Sequence, residues 1–136
     1  MRAYRHVHTV TFDETNLVGN VYFAHYLHWQ GHCREHFLAE HAPGVLKSLA
    51  DGTLALVTLG CDMTYYEECF ALDKIEVLMT LSAVNGNRIA MNFDFRRGGV
   101  QVARGSQSVA CMRRTPTGVA PVALSAELSA ALNAFA

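Results

Sequence analysis

Hydrophobic and polar positions change rhythm several times along this chain, and each change marks an element. Residues 4–12 are rich in β-branched and aromatic side chains (Val7, Thr9, Val10, Thr11, Phe12), which predicts a first strand. The polar run Asp13-Glu14-Thr15-Asn16 breaks it, and Gly19-Asn20 supplies a flexible bend. From 22 to 40 the period becomes helical: at about 100° per residue, Phe23, Leu27, Trp29, Cys33, Phe37 and Leu38 share one broad face. Ala42-Pro43-Gly44 stops that helix. A shorter helical piece over 45–50 ends at Asp51-Gly52, and 54–63 reads as a strand. Alternation with period two then takes over at Ile75, Val77, Met79, Leu81 and Ala83, and again at Ile89, Met91, Phe93 and Phe95. Asn85-Gly86 between the two runs predicts a hairpin. Gly98-Gly99 makes a second turn into a long strand over 100–113, closed by Pro116, Gly118 and Pro121. Leu124, Leu128, Leu132 and Phe135 recur at helical spacing behind a candidate cap at Ser125, which predicts a short C-terminal helix.

The expected order is therefore a strand, a long helix, then three or four antiparallel strands in a meander. A helix with one apolar face and a sheet with one buried face satisfy each other if the sheet curls around the helix, giving an α+β domain. With 136 residues, about half of them hydrophobic, residues 1–136 are expected to form one domain. That apolar content exceeds what so small a wrap can hide, so pairing of sheet edges into a dimer is expected.

Composition removes several classes of function. Net charge is −1 and the basic residues are scattered apart from pairs such as Arg96-Arg97 and Arg113-Arg114, which argues against a nucleic-acid partner. No apolar run approaches the roughly 20 residues that span a bilayer, and Met1-Arg2-Ala3-Tyr4-Arg5-His6 has no apolar signal core. The expectation is a soluble cytoplasmic protein with no membrane contact. Cys33, Cys61, Cys69 and Cys111 show no close metal-type or redox-type pairing and read as free, mostly structural thiols.

Arg34 is the residue these patterns leave unexplained. It falls on the apolar side of the long helix, between Phe23 and Leu27, and a guanidinium cannot shed its proton to escape such a site. It must face an internal carboxylate, a water-filled cleft or a bound anionic group. His25, His28, His32 and His36 form a second stripe beside that face. Their spacing suits shared metal ligation, but no glutamate follows His28 or His32 and no third ligand group is evident, so they read as a His-rich surface or interface and no metal is assigned. Cys33 sits mid-helix, where a packed thiol is the expected role. There is no Gly-x-Ser-x-Gly elbow and hence no candidate serine nucleophile. The loop before the helix is more informative, because a helix start offers unpaired N–H groups to an incoming carbonyl or anion. Asn16, Gly19, Asn20 and Phe23 cluster there, and Arg34, about three turns on, is expected to border the same cleft.

The run Asn16-Leu17-Val18-Gly19-Asn20-Val21-Tyr22-Phe23, followed by Tyr26, Trp29 and Arg34-Glu35, resembles the 4-hydroxybenzoyl-CoA thioesterase-like group of hotdog-fold proteins. Residues 66–73, leading into Lys74-Ile75-Glu76-Val77, are similar to the same group. The resemblance implies a curved antiparallel sheet wrapped around a long central helix. Many members of the group carry an aspartate three residues before the glycine that corresponds to Gly19, and others a carboxylate about two turns into the helix. This chain has Asn16 and Gln30-Gly31 there. Lacking both acids, and with Trp29-Gln30-Gly31-His32-Cys33-Arg34-Glu35, His41-Ala42-Pro43 and Ala110-Cys111-Met112-Arg113, it is similar to the thioesterases of enediyne polyketide biosynthesis.

That resemblance implies a β-ketoacyl polyene thioester carried on the phosphopantetheine of an acyl carrier protein domain of an iterative polyketide synthase, with no further cofactor. On this reading the Phe23 N–H and the Asn16 amide hold the thioester oxygen and Arg34 supports the developing negative charge. Gly19, Tyr26 and Thr58 complete the binding site, with water positioned by Asn16 or the Tyr26 hydroxyl. Met79, Met91, Phe93 and Phe95 are candidates to line an acyl tunnel, and Arg96, Arg97 and Arg104 to meet the carrier. The assembly is a homodimer or a dimer of dimers. The alternatives are a non-enzymatic acyl-binding protein, a general acyl-CoA thioesterase, and a cyclase or dehydratase, for which no convincing pair of His with Asp or Glu is evident.

Overall fold

Period-two alternation of apolar residues builds one curved sheet in the computed structural model, which describes residues 2–136. The strands are β1 (Tyr4–Thr9), β2 (Leu54–Tyr65), β3 (Lys74–Asn85), β4 (Arg88–Arg97), β5 (Val100–Thr115) and β6 (Gly118–Pro121). Their order across the sheet is β1-β3-β4-β5-β2, with every pairing antiparallel and β6 added to the far end of β5. The meander is thus confined to β3, β4 and β5. β2 crosses over to pair with β5 and leaves its other edge unpaired.

The helices are α1 (His25–His41), α2 (Pro43–Ala50) and α3 (Ala126–Asn133). α1 lies in the concavity of the sheet and buries Tyr26, Trp29, Gln30, Cys33, Phe37 and Leu38 against Ile75, Val77, Met79, Phe93, Phe95 and Val102. This is the hotdog arrangement, α+β as the patterning predicts. Pro43 ends α1 and begins α2 at the first helical position, where its missing N–H costs no hydrogen bond. The next two N–H groups of α2, from Gly44 and Val45, donate to the Glu127 carboxylate at 3.2 and 2.9 Å, which ties α3 to α2. Ser125 caps α3 as expected, accepting from the Leu128 N–H at 3.1 Å, and Leu128, Leu132 and Phe135 are buried.

Several boundaries differ from the sequence expectation, each for a local reason. The first strand stops at Thr9 rather than near Phe12, because Val10 pairs with Asp73 and Leu72 and the chain then turns through a 3-10 segment, Phe12–Glu14. The long helix starts at His25, so Phe23 lies outside it and is exposed, while Leu27 is half-buried rather than in the core. The hairpin between β3 and β4 turns on Gly86-Asn87, one residue later than Asn85-Gly86, since Asn85 pairs with Arg88. Only Gly86 there has positive φ, the pattern of a II′ turn. A register shift between Leu81 and Ala83 flips the alternation, which leaves Ala83 exposed although Leu81 is partly buried. Among the described residues no helix is long and apolar enough to cross a membrane.

Candidate functional site

Two features converge on α1, one at its start and one at its middle. At its start the chain makes a tight excursion over 14–22. Thr15 bridges Val21, the Asn16 N–H donates to the Asn20 carbonyl at 2.7 Å, and the Gly19 N–H donates back to the Asn16 carbonyl at 2.9 Å. Gly19 has φ +99, which a side chain would strain. The Asn16 side-chain amide donates one N–H to Asn20 Oδ1 at 3.1 Å and has a second to offer. Leu17 and Val18 project into solvent at the tip. The chain then enters α1 through Phe23, whose carbonyl accepts from the Tyr65 hydroxyl at 2.9 Å. Among the described residues nothing accepts the Phe23 or Ala24 N–H, so this helix start presents unpaired donors.

Midway along α1, Arg34 borders a cleft of ≈590 Å³ between α1, α2 and β2, walled by Leu38, Ala39, Leu46, Leu49 and Leu56, with Glu35 and His36 at its polar rim. Its Nη1 donates to Gln107 Oε1 on β5 at 3.0 Å. No carboxylate among the described residues forms an ion pair with it, and its Nε is buried without a partner. Burial pushes the guanidinium below its ordinary pKa, opposed by the charge of Glu35. Of the environments open to Arg34, an internal ion pair is ruled out among the described residues, and a cleft is what the guanidinium faces. One turn earlier on α1 lies Gln30, where the sequence resemblance led to the expectation of a carboxylate. It is buried, donates to the Ser106 carbonyl at 3.1 Å and leaves Oε1 unpartnered. It packs so closely on β5 that a Cβ at Gly105 would overlap its Oε1 and Met63 Cε.

The structure does not bring Asn16 and Arg34 to one cleft within a single chain. Neither Asn16, Gly19 nor Phe23 lines the Arg34 cleft. At about 1.5 Å of rise per residue, the helix start lies roughly 13 Å from Arg34. Thr58 is exposed on β2, two residues beyond Leu56 of the cleft wall. Tyr26 is a core residue: its ring packs on Trp29, Tyr65 and Phe95, and burial, with the nearby Cys69 thiol, raises its hydroxyl pKa. It is therefore not placed to position water in the cleft. Of the apolar candidates, Met91 reaches the site. It borders a narrow gap of ≈10 Å³ beside Arg34 with Phe37, Leu38, Leu56, Ile89, Val109, Leu128 and Leu132. Met79, Phe93 and Phe95 are simple core. Arg96 is tied to Asp94 and the Gly99 carbonyl, and Arg97 to Asp73 and the Glu68 carbonyl, whereas Arg104 lies with Asp62, Thr64 and Tyr66 away from the cleft.

Sequence reasoning missed Glu14, read above as part of a polar loop. Its carboxylate is buried, accepting from Trp29 Nε1 at 2.6 Å, His8 Nε2 at 2.7 Å and the Thr11 N–H at 2.9 Å. His8 and Glu14 are thus a His–carboxylate pair that the sequence did not make evident. The signal was Thr11 three residues before Glu14, a capping-box spacing ahead of a 3-10 turn. Burial alone would raise this carboxyl, but the bonds from Trp29, Thr11 and His8 outweigh it and hold it at about 2. A depressed acid stabilises the fold in full above its unfolded value of 4.5 and loses that contribution as pH falls through about 2. The shift corresponds to about 3 kcal/mol. The urea midpoint of wild type is therefore expected to exceed that of Glu14→Gln near pH 6, with the gap closing as both are titrated toward pH 2.

The His stripe also has a structural place. His6 stacks on His36 with ring centroids 4.4 Å apart, and His8 lies 6.3 Å from His32, so the stripe lines the seam between α1 and β1. Cys33 is buried, with its thiol pushed up to about 12 by burial, as a packed residue should be.

The profile of the Thioesterase-like superfamily matches residues 10–132. Dynemicin thioesterase, whose crystal structures describe induced fit and allosteric effects upon polyene binding, superimposes with a TM-score of 0.94 at 58% identity, covering 98% of this chain and 96% of that one. A 1,4-dihydroxy-2-naphthoyl-CoA thioesterase from Synechocystis (TM-score 0.85, 17% identity, 96% of each chain) and a gentisyl-coenzyme A thioesterase (TM-score 0.80, 13% identity, 95% of this chain and 98% of that) share the fold. No curated protein matches the sequence. With an unpaired cation over an apolar cleft, free N–H donors at the head of the central helix and this sequence likeness, the chain belongs to the Thioesterase-like superfamily and is a hotdog-fold thioester hydrolase.

Proposed function

We propose that this enzyme hydrolyses a β-ketoacyl polyene thioester from the acyl carrier protein domain of an iterative, enediyne-type polyketide synthase, without an ionised carboxylate at the reacting carbon. The observation that carries the reading is Arg34, a half-buried cation whose Nε is buried and which, among the described residues, has no ion-pair partner beside a largely apolar cleft. Such a site favours a group that is neutral on arrival and becomes negative during reaction, as a thioester carbonyl does. The likeness to dynemicin thioesterase, with its polyene ligand, supports the substrate class. The chain would enter between α1, α2 and β2 and widen the narrow gap beside Arg34.

A second copy completes the site. The free edge of β2 exposes Val57, Leu59 and Tyr65, a surface suited to antiparallel pairing with itself. Two-fold pairing of β2 sets the Tyr65 end of one strand beside the Leu54 end of the other. Tyr65 is bonded to Phe23, and Leu56 walls the Arg34 cleft. The loop bearing Asn16 and the Phe23 N–H of one copy thereby meets Arg34 of the other, in a homodimer or a dimer of dimers. Gly19 shapes that loop, and Thr58, near the dyad, flanks the entrance.

In the reaction, Asn16 and the Phe23 N–H polarise the thioester oxygen while water adds to the carbonyl carbon. The C–S bond then breaks, the phosphopantetheine thiol takes the proton, and Arg34 stabilises first the oxyanion and then the carboxylate. The β-keto group activates the carbonyl, so no strong base is required, and no cofactor beyond the carrier's own arm takes part. The released β-keto acid can lose carbon dioxide to a methyl ketone.

Mass spectrometry after mixing the protein with a loaded synthase tests the reading, and the expected products are the free polyene β-keto acid and its methyl ketone. Equal or faster turnover of the corresponding CoA ester would replace it with a general acyl-CoA thioesterase.

A further inference from the structure

Glu14 is the buried ionised group that the proposed reaction leaves unused. Its two oxygens are occupied by donors from three elements: His8 on β1, Thr11 at the turn, whose Oγ1 also donates at 3.1 Å, and Trp29 on α1. With 7% of its surface exposed, it cannot reach a substrate. Its backbone has a second task. The Glu14 carbonyl accepts the Tyr22 N–H at 2.9 Å and so closes the neck of the loop that carries Asn16, one residue before Phe23. Above the neck the loop is braced on itself through Thr15 with Val21 and Asn16 with Asn20, and on the 69–70 segment through the Val21 N–H, which donates to the Cys69 carbonyl at 2.8 Å; its tip is exposed at Leu17 and Val18. Asn20 reaches outward, bridging Phe70 and donating to Glu68 at 3.3 Å at the surface. The returning limb is thus held at Val21 and Asn20, and the outgoing limb, which leads into Asn16, is held at the neck, where Glu14 is fastened to β1 and α1.

We propose that Glu14, with His8 and Trp29, is a positioning device: a carboxylate buckle that fastens the 14–22 loop to α1 and β1 and so fixes Asn16 relative to the Phe23 N–H. This rests on the thioesterase reading given above. Glu14 is a positioning residue and touches no reacting atom. Trp29 lies on the second turn of α1, so its 2.6 Å bond to Oε2 sets the rotation of the loop about the helix, while His8 sets its height against the sheet edge. Glutamine at 14 would have one acceptor oxygen and would turn its own N–H groups toward donors. Phenylalanine at 29 would keep most of the ring and lose the donor.

The test is steady-state hydrolysis of a β-ketoacyl N-acetylcysteamine thioester by Glu14→Gln, Trp29→Phe, Asn16→Ala and Glu14→Gln/Asn16→Ala, each assayed where circular dichroism shows it folded. A displaced donor of this kind costs about 10- to 100-fold in kcat, with KM little changed. If Glu14 acts through Asn16, Glu14→Gln should cost less than about threefold once Asn16 is alanine, because coupled residues are not additive. A merely structural Glu14 would lower the melting temperature, leave kcat of the folded variants at the wild-type value and give equal costs in both backgrounds; either kinetic result overturns the proposal. Should Glu14→Gln fail to fold, Trp29→Phe carries the same cycle. Wild-type turnover by Asn16→Ala would overturn the parent thioesterase mechanism, whereas a slow Asn16→Ala beside a wild-type Trp29→Phe would overturn the buckle alone.

Discussion

Replacing Arg34 by alanine is expected to slow thioester hydrolysis by about 100- to 1,000-fold, the cost of removing one preorganised charge partner from a developing oxyanion. The size of the effect follows from the surroundings of the guanidinium. Gln107 orients it through a neutral hydrogen bond, and the neighbouring Glu35 acts on it only at longer range without forming an ion pair, so most of its field remains available to the substrate. Arg34→Lys should recover only part of the rate, because an ammonium lacks the planar fork that can hold Gln107 and a substrate oxygen together. Gln107→Glu separates charge from packing. It would place a carboxylate about where the amide oxygen now lies, 3.0 Å from Nη1, and create the internal ion pair that the native chain avoids. The fold should tolerate it, while kcat falls toward that of Arg34→Ala. Wild-type turnover by both folded variants would remove Arg34 from the reaction.

The helix and the sheet could be read from the sequence because single periodicities mark them without interruption. Ile89, Met91, Phe93 and Phe95 alternate and are all buried, and Leu128, Leu132 and Phe135 repeat behind their serine cap. What the pattern misplaced depends on tertiary partners. β2 reads as a next neighbour of β3, yet pairs with β5, because local alternation carries no information about which edge a strand joins. Phe23 reads as helix face since helical spacing continues through it, but the turn at Tyr22 and Phe23 ends that phase at His25.

At the site, Arg34 was identifiable as a charge at an apolar position. Glu14 was not, since a glutamate in a polar run looks solvated until the donors that bury it arrive from residues 8, 11 and 29. Tyr26 shows the opposite ambiguity: an aromatic with a hydroxyl near a helix start suits a site as well as a core, and the structure packs its ring on Trp29, Tyr65 and Phe95. The three-turn spacing of Arg34 from the helix start was legible, but not that the Asn16 loop and the Arg34 cleft are separate within one chain, the separation that makes the second copy part of the proposed chemistry.

Asn16 gives the second large effect, and here the choice of replacement distinguishes two mechanisms. If its amide donates to the thioester oxygen, Asn16→Ala removes a donor and should lower kcat by about 100-fold or more. Asn16→Asp should then do no better at neutral pH, because a carboxylate cannot donate and would repel the oxyanion it faces. It would also set an acceptor against Asn20 Oδ1, which now receives the Asn16 N–H at 3.1 Å, and add negative charge to a surface where Asn20 already bonds Glu68. The contrary outcome is equally clear. In relatives with aspartate at this position, the acid is expected to act as nucleophile or base. If this chain retained the geometry for that chemistry, Asn16→Asp would meet or exceed wild-type turnover with a rate rising through the carboxylate's titration. A flat, depressed pH profile for Asn16→Asp is the result expected of a site whose catalysis depends on donors and one fixed cation.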